Sequence, residues 1–162
     1  MNTGQMILTI AAMVLLSTIM LRVNTLNLDT DSIRAEAQFG VLATSIATSI
    51  IEEAKGMAFD EKTVSSNVDN LNDLSPVLGE ESGETRPDFD DFDDFNNYTE
   101  VDSTMPSAVF DINCIVEYVD IPDVDIQSAS KTWNKKLTVM VSSKSMKDTI
   151  KISSIYSYWY FR

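Results

Sequence analysis

The acidic segment from residue 88 to residue 102 carries the residue types that could bind a cation. It reads DFDDFDDFNNYTEVD, and clustered carboxylates are the hard oxygen ligands that Ca²⁺ prefers. The pattern of a helix–loop–helix calcium site is missing, because Phe92 takes the fifth position counted from Asp88 and no glycine follows. Two interpretations stay open, a solvated acidic turn and a calcium site whose candidate ligands are Asp88, Asp90, Asp91, Asp93 and Asp94.

The same segment carries two other patterns. Phe89, Phe92, Phe95 and Tyr98 recur at every third residue, and we expect them to pin the segment to a sheet or to a neighbouring subunit. The sequon NYT begins at Asn97, which makes this residue a candidate for N-glycosylation on a surface loop.

Nothing in the sequence predicts catalysis. The chain has no histidine, the commonest general base and transition-metal ligand, and we find no nucleophile–base pair or phosphate-binding glycine loop. Cys114 is the single cysteine and stands in an alternating apolar run. We expect a small buried thiol there, the alternative being a reactive thiol or an intermolecular bridge. The prediction is a protein without enzymatic activity and without a cofactor, calcium aside.

The charge argues against nucleic acid as a partner. The formal net charge is −13, and ten carboxylates lie between Glu80 and Asp102 with only Arg86 to oppose them. Such a surface repels the phosphate backbone of DNA and RNA.

The N-terminal segment is the most apolar part of the chain, without a charged residue from Met6 to Leu21. As a helix it would be about 24 Å long, just short of the ~30 Å hydrocarbon core of a bilayer. A cleaved signal would show a basic start and a small-residue cleavage site, whereas here the nearest cation, Arg22, follows the segment. We predict insertion in a membrane or burial in a polymer through Met6, Ile7, Leu8, Ile10, Ala11, Ala12, Met13, Val14, Leu15, Leu16, Ile19, Met20 and Leu21.

A helical pattern continues after this segment. Apolar residues recur at steps of mostly three, four or seven, and Gly56 marks the expected end of the helix. The stretch from Asn24 to Ser32 is rich in Asn, Asp and Thr, so the helix either runs through it or unwinds there. The predicted stripe is Leu26, Ile33, Ala37, Val41, Leu42, Ile46, Ile50, Ile51, Ala54 and Met57.

The C-terminal third changes to the period of two that is typical of strands. AVFDINCIVEYVD, KLTVMVSS and DTIKISSIYSYWYFR each alternate, and short returns between them predict an antiparallel meander. The helical stripe from residue 33 to residue 57 can cover its apolar face, which gives an α+β fold. The terminal aromatic residues are expected to serve core or subunit packing, or else an interface or glycan-contacting face: Tyr156, Tyr158, Trp159, Tyr160 and Phe161.

We therefore predict four segments. They are a hydrophobic helix over 1–24, its amphipathic continuation over 25–57, an acidic irregular connection over 58–107 and an antiparallel sheet over 108–162, with 25–162 as one globular head.

This order of elements resembles the type IV pilin and pseudopilin superfamily. LATSIATSIIEEAKGMAFDEKTV looks like the second half of the long helix in prepilin-type proteins, and DDFNNYTEVD looks like the acidic connection before their strands. The resemblance implies a membrane-inserted subunit with a methylated N-terminus. It also implies a prepilin peptidase, inner-membrane assembly machinery and further copies of the chain as partners. Some pseudopilins bind calcium.

Two positions depart from the family pattern. Mature family members carry a glutamate at the fifth position that neutralises the N-terminal amine of a neighbour. If Met1 is the mature start, Gln5 stands at that position, where it can accept a hydrogen bond but cannot cancel a charge. Otherwise Met1 to Gly4 is a short leader. The second departure is the absence of a helix-breaking proline near position 22, which predicts a straighter helix.

The preferred hypothesis is a structural subunit of a type IV pilus-like filament. It would reside in the cytoplasmic membrane before assembly and on the cell surface afterwards, with Met1 and Gln5 in the assembly contact. The alternatives are a monomeric, single-span membrane-anchored extracytoplasmic binding or sensor domain, and a minor pseudopilin of a secretion system.

Overall fold

Helix α1 is the longest element and runs from Thr3 to Lys55. The computed structural model describes residues 2–121 and 123–158. By its internal contacts the chain forms two compact units, Met1–Gln38 and Phe39–Arg162, and α1 contributes to both. The predicted division after residue 24 rested on hydrophobicity rather than on contacts, and it stays a prediction.

The polar stretch from Asn24 to Ser32 does not interrupt α1. The hydroxyl group of Thr25 donates to the Leu21 carbonyl, and that of Thr30 donates to the Leu26 carbonyl, both at 2.8 Å. Because these side chains bond back to the preceding turn, they do not compete for the N–H groups of the helix. Of the two alternatives, the continuous helix is the one that the structure shows.

The helix ends where the sequence predicts. Its last residue is Lys55, and the N–H of Gly56 donates to the carbonyl groups of Glu52 and Glu53 at 3.2 and 3.0 Å. Asp60 then caps the short helix α2, Glu61–Ser65, by accepting from the N–H of Lys62. Asp60 and the preceding residue, Phe59, are both buried at this start of α2.

Four antiparallel strands follow in the order β1-β2-β3-β4. They are β1 Thr99–Asp102, β2 Phe110–Tyr118, β3 Asn134–Ser142 and β4 Ile150–Ser157. The α+β prediction is confirmed, and so is the meander of the last three strands. Strand β1 lies inside the segment for which we predicted an irregular connection. It has only four residues and none of them is buried, so it lacks the apolar alternation that marks the other strands.

The predicted period of two in β2 and β3 is confirmed, because every second side chain of each strand is buried. Phe110, Ile112, Cys114, Val116 and Tyr118 are buried on β2, as are Leu137, Val139 and Val141 on β3. Cys114 is thus the small buried thiol that we expected, and burial raises its pKa to about 12. Strand β4 is only half-buried along its inward face.

Helix α1 covers this sheet from Phe39 onward, with a face that differs from the predicted stripe. Its buried residues are Ala43, Ala47, Ile50, Ile51 and Ala54, and partly buried Phe39, Leu42 and Ile46 pack beside them. Ile33 and Val41 of the predicted stripe are instead 63% and 69% exposed. Ala43 and Ala47 were missing from the predicted stripe, because a small side chain adds little to an apolar pattern. A small side chain nevertheless lets a helix approach a sheet closely.

Candidate functional site

The apolar segment of α1 is exposed throughout. Its large side chains are 49% exposed at Met6 and up to 73% exposed at Leu8, and Leu21 is 68% exposed. The segment contains every residue predicted for membrane or polymer contact, and α1 is long and apolar enough to cross a membrane. An apolar surface this large is unusual on a soluble monomer, and it is compatible with membrane anchoring.

The polar side chains of this segment are satisfied within the helix. Thr9 donates to the Met6 carbonyl at 2.9 Å, and Ser17 donates to the Met13 carbonyl at 2.8 Å. Thr18 likewise donates to the carbonyl three residues before it. The hydroxyl groups therefore need neither water nor a partner chain, which suits an apolar environment.

Of the two residues predicted for the assembly contact, the structure describes Gln5 but not Met1. Gln5 is exposed in the first turns of α1, and its N–H donates to the Asn2 carbonyl at 2.9 Å. Met1 lies outside the described residues, so a contact between Met1 and Gln5 of neighbouring chains stays a prediction.

The acidic segment is buried at its centre, from Asp91 to Phe95, and this corrects the interpretation as a solvated turn. Asp91, Asp93 and Asp94 are 1%, 2% and 1% exposed, whereas Asp88 and Asp90 are exposed as expected. Charged side chains are buried at this level only with compensating partners.

Aromatic anchoring explains the burial. Phe89, Phe92 and Phe95 lie in the core beneath the sheet, and the ring of Phe92 packs 5.1 Å from that of Tyr156 on β4. The predicted pinning of the segment to the sheet is confirmed. Because the phenylalanines alternate with pairs of aspartates, Asp91, Asp93 and Asp94 are buried along with them, whereas Asp90 stays exposed.

Lys135 is the partner that sequence reasoning missed. It is 0% exposed on β3, and its Nζ atom donates to the Phe59 carbonyl at 2.7 Å and to Asp60 Oδ2 at 3.0 Å. Its third donor bonds Asp93 Oδ1. The rings of Phe59 and Tyr118 lie 4.5 and 5.5 Å from the ammonium group and complete the enclosure.

A signal for this burial does exist in the sequence. Leu137, Val139 and Val141 mark the inward face of β3, and one further step of two residues towards the N-terminus reaches Lys135. The alternation therefore predicts an inward side chain at this position, against the charge of lysine. Its acceptors stand 75 and 42 residues away along the chain, at Asp60 and Asp93.

The carboxyl groups around Lys135 divide into two kinds. Burial raises the pKa of Asp60, but the charge of Lys135 and the hydrogen bonds from Ser75 and Lys62 outweigh burial, so its pKa is lowered. Burial raises the pKa of Asp93 despite Lys135. Burial, followed by the charges of its aspartate neighbours, raises the pKa of Asp91 to about 9. The site thus favours the ionised form of Asp60, whereas burial favours the protonated forms of Asp91 and Asp93.

The carboxylates that could share an ion are not the predicted set. Among the described residues, Glu81, Glu84 and Asp94 have ligand oxygens within 4.8 Å of one another. Of the five predicted calcium ligands, only Asp94 belongs to this group. Burial, a side-chain hydrogen bond with Glu84 and nearby carboxylates raise the pKa of Glu81 to about 7. Calcium binding stays a prediction, and Asp93 is already engaged with Lys135.

The remaining predicted residues lie on loops and at the end of β4. Asn97 has a φ of 64°, and it is exposed, so its side chain is accessible to modification. Glycosylation stays a prediction. Tyr156 and Tyr158 serve packing, since Tyr158 stacks on Trp133 at 5.4 Å. Trp159, Tyr160 and Phe161 lie outside the described residues.

Comparisons with known protein families, with curated proteins and with solved structures found no match.

Proposed function

We propose that this chain is a structural subunit of a type IV pilus-like extracellular filament that polymerises through its N-terminal hydrophobic helix. The observation that carries the proposal is the exposed apolar surface of α1 from Met6 to Leu21. The second unit contributes a separate folded head with its own core of helix and sheet. These two features are what a membrane-inserted subunit that joins a helical polymer requires.

The apolar surface is too large to remain in water. Burying a large apolar side chain is worth roughly 1.5–3 kcal/mol, so the segment favours an apolar environment over water by tens of kcal/mol. Lipid satisfies the same preference. Transfer from lipid into a polymer must therefore rest on close packing between helices, for which Ala11, Ala12 and Ser17 provide small side chains.

The hydrogen bonds of the segment support the same use. Since Thr9, Ser17 and Thr18 bond to carbonyl groups of their own helix, a neighbouring helix can pack against them without having to supply polar partners. The membrane location before assembly, the processing peptidase, the assembly machinery and N-terminal methylation follow from the resemblance and belong to the proposal.

Electron microscopy of sheared cell-surface material tests the proposal. We expect filaments that are labelled by an antibody against the second unit in cells producing the native chain. If the protein occurs only as a dispersed membrane species, the filament proposal is wrong and a monomeric anchored domain takes its place.

A matched pair of variants tests the contact surface. Ala12→Leu adds bulk where we expect helices to approach and should abolish filaments. Leu16→Met, one turn further along the helix, conserves volume and hydrophobicity and should leave filaments intact. Normal filaments from Ala12→Leu would contradict close packing at this position, provided that both variants reach the membrane in equal amounts.

A further inference from the structure

The enclosure of Lys135 places an amine against carboxyl groups in a site closed to water. The Lys135 and Asp60 side chains are both 0% exposed, and that of Asp93 is 3% exposed. The rings of Phe59 and Tyr118 flank the amine. A buried ion pair of this kind recovers its desolvation cost only with excellent geometry, and a reaction that removes both charges would relieve that cost.

We propose that Lys135 and Asp93 are joined by an intramolecular isopeptide bond between Nζ and Cγ, which forms spontaneously in the folded second unit. This inference does not depend on the proposed filament function, because every residue that it uses belongs to the second unit.

The geometry favours the reaction. Nζ contacts Oδ1 of Asp93, and the carbon that it would attack is one covalent bond from that oxygen. Strand β3 holds Lys135, and the 3₁₀ turn Asp93–Phe95 holds the carboxyl group. Reactants fixed in this way react as if at very high concentration. The absence of bulk water also disfavours hydrolysis of the product.

The hydrogen bonds distinguish the reacting carboxyl group from its neighbour. Oδ1 of Asp60 accepts from the N–H of Ser75 at 2.9 Å, from its hydroxyl group at 3.0 Å and from the N–H of Lys62 at 3.2 Å. These bonds hold Asp60 as a carboxylate, which is a poor electrophile but has an oxygen next to Nζ that can take up a proton. Asp93 is the group whose protonated form burial favours, and a carboxylic acid is the better electrophile.

The reaction is a condensation and needs no oxidant or co-reactant. The Lys135 ammonium gives one proton to the Asp60 carboxylate, and its freed electron pair attacks Cγ of the Asp93 carboxylic acid. The new nitrogen–carbon bond forms, the bond from Cγ to the hydroxyl oxygen breaks, and a second proton from nitrogen leaves with that hydroxyl group as water. One amide, one water molecule and a protonated Asp60 result. The single N–H left on the amide nitrogen keeps one donor for the acceptors nearby.

Mass spectrometry of the full chain under denaturing conditions tests the bond directly. We expect a mass lower by one water molecule than that calculated for the same N-terminus. Proteolysis should yield a branched species that joins a peptide containing Asp93 to one containing Lys135. A folded protein with the full calculated mass would overturn the proposal, as would a missing water that maps to another position. Because the native chain decides, the result does not depend on whether a variant folds.

Variants then assign the roles. Lys135→Arg should restore the full mass, whereas Lys136→Arg, at the neighbouring position on β3, should keep the loss of one water. Asp60→Asn retains Asp93 and Lys135 but removes the proton acceptor, so the folded variant should lack the bond. An unchanged yield of the bond in Asp60→Asn would overturn the role given to Asp60.

Discussion

The most apolar segment of the chain is exposed, whereas three ionisable side chains of its most acidic segment are buried. In α1 the side chains from Met6 to Leu21 are apolar and at least 49% exposed wherever they are large. In the acidic segment, Asp91, Asp93 and Asp94 are ionisable and at most 2% exposed. Both arrangements cost free energy unless something else compensates for it.

The difference lies in where the compensation comes from. The aspartates find most of it inside their own unit, in Lys135 and in backbone N–H groups, although Oδ2 of Asp91 and Oδ1 of Asp94 are buried without a hydrogen-bond partner among the described residues. For the apolar segment, the compensation is a surrounding that the chain does not itself supply. The buried carboxyl groups are thus compensated within the fold, whereas the exposed apolar helix is compatible with membrane anchoring.

Removing the apolar segment should have the largest effect. A chain without residues 2–24 should leave the membrane fraction entirely and keep the fold of the second unit, because the covering face of α1 begins at Phe39. Membrane fractionation and circular dichroism provide the measurements. A deletion that continues through residue 46 removes Ala43 as well and should unfold the head. Membrane association that persists without residues 2–24 would contradict the comparison.

Removing the buried cation should have the next largest effect. Compared with a native chain in which Lys135 and Asp93 form an ion pair rather than the proposed bond, Lys135→Met should lower the free energy of unfolding by about 3–5 kcal/mol, because Asp60 and Asp93 are left buried without their common partner. The matched control is Lys136→Met, whose ion pair with Glu117 spans 3.6 Å at a partly exposed position and is worth up to about 1 kcal/mol. Urea unfolding followed by fluorescence measures both variants. Equal losses in the free energy of unfolding would show that Lys135 contributes no more to stability than Lys136.

The same alanine-to-leucine substitution at two positions of α1 should distinguish the part that packs on the sheet from the apolar segment. Ala47 is 0% exposed against the sheet, so Ala47→Leu should destabilise the second unit by about 1–3 kcal/mol through overpacking. Ala12→Leu changes an exposed position and should alter this stability by less than about 0.5 kcal/mol, although we expect it to abolish filaments. Destabilisation of the head by Ala12→Leu would show that the two parts are energetically coupled.

The pH dependence of stability should report Asp91. Burial and neighbouring charges raise its pKa to about 9 in the folded state, so between about pH 5 and pH 8 it is protonated when folded and ionised when unfolded. The unfolded state then binds fewer protons, and the contribution of Asp91 is lost as the pH rises, by up to about 1.4 kcal/mol per pH unit.

Asp91→Asn mimics the protonated side chain and should make the decline of stability with pH shallower. Its control is Asp90→Asn at an exposed neighbouring position, which should leave the slope unchanged. Urea unfolding at several pH values measures the slopes. Identical slopes for the native chain and Asp91→Asn would show that Asp91 is ionised in the folded protein.

Much of the fold could be read from local patterns. The period of two predicted β2 and β3 as strands, and Gly56 predicted the end of α1. Strand β1 could not be predicted in the same way, since it is short and unburied and is defined by its pairing with β2, from Thr99 opposite Asn113 to Asp102 opposite Phe110. Periodicity reports the geometry of one element, whereas pairing depends on another.

The sequence by itself determined the apolar segment, the alternation of the strands and the spacing of the phenylalanines, because each is a repeat that local backbone geometry turns into a face. Only the tertiary structure decided that Asp91, Asp93 and Asp94, three of the aspartates between those phenylalanines, are buried. It also decided that Lys135 faces them and that α1 covers the sheet with alanines. The physical reason is that burial of a charge depends on partners far away in the chain, and Lys135 meets Asp93 across 42 residues. No local sequence pattern predicts a contact between residues so far apart in the chain.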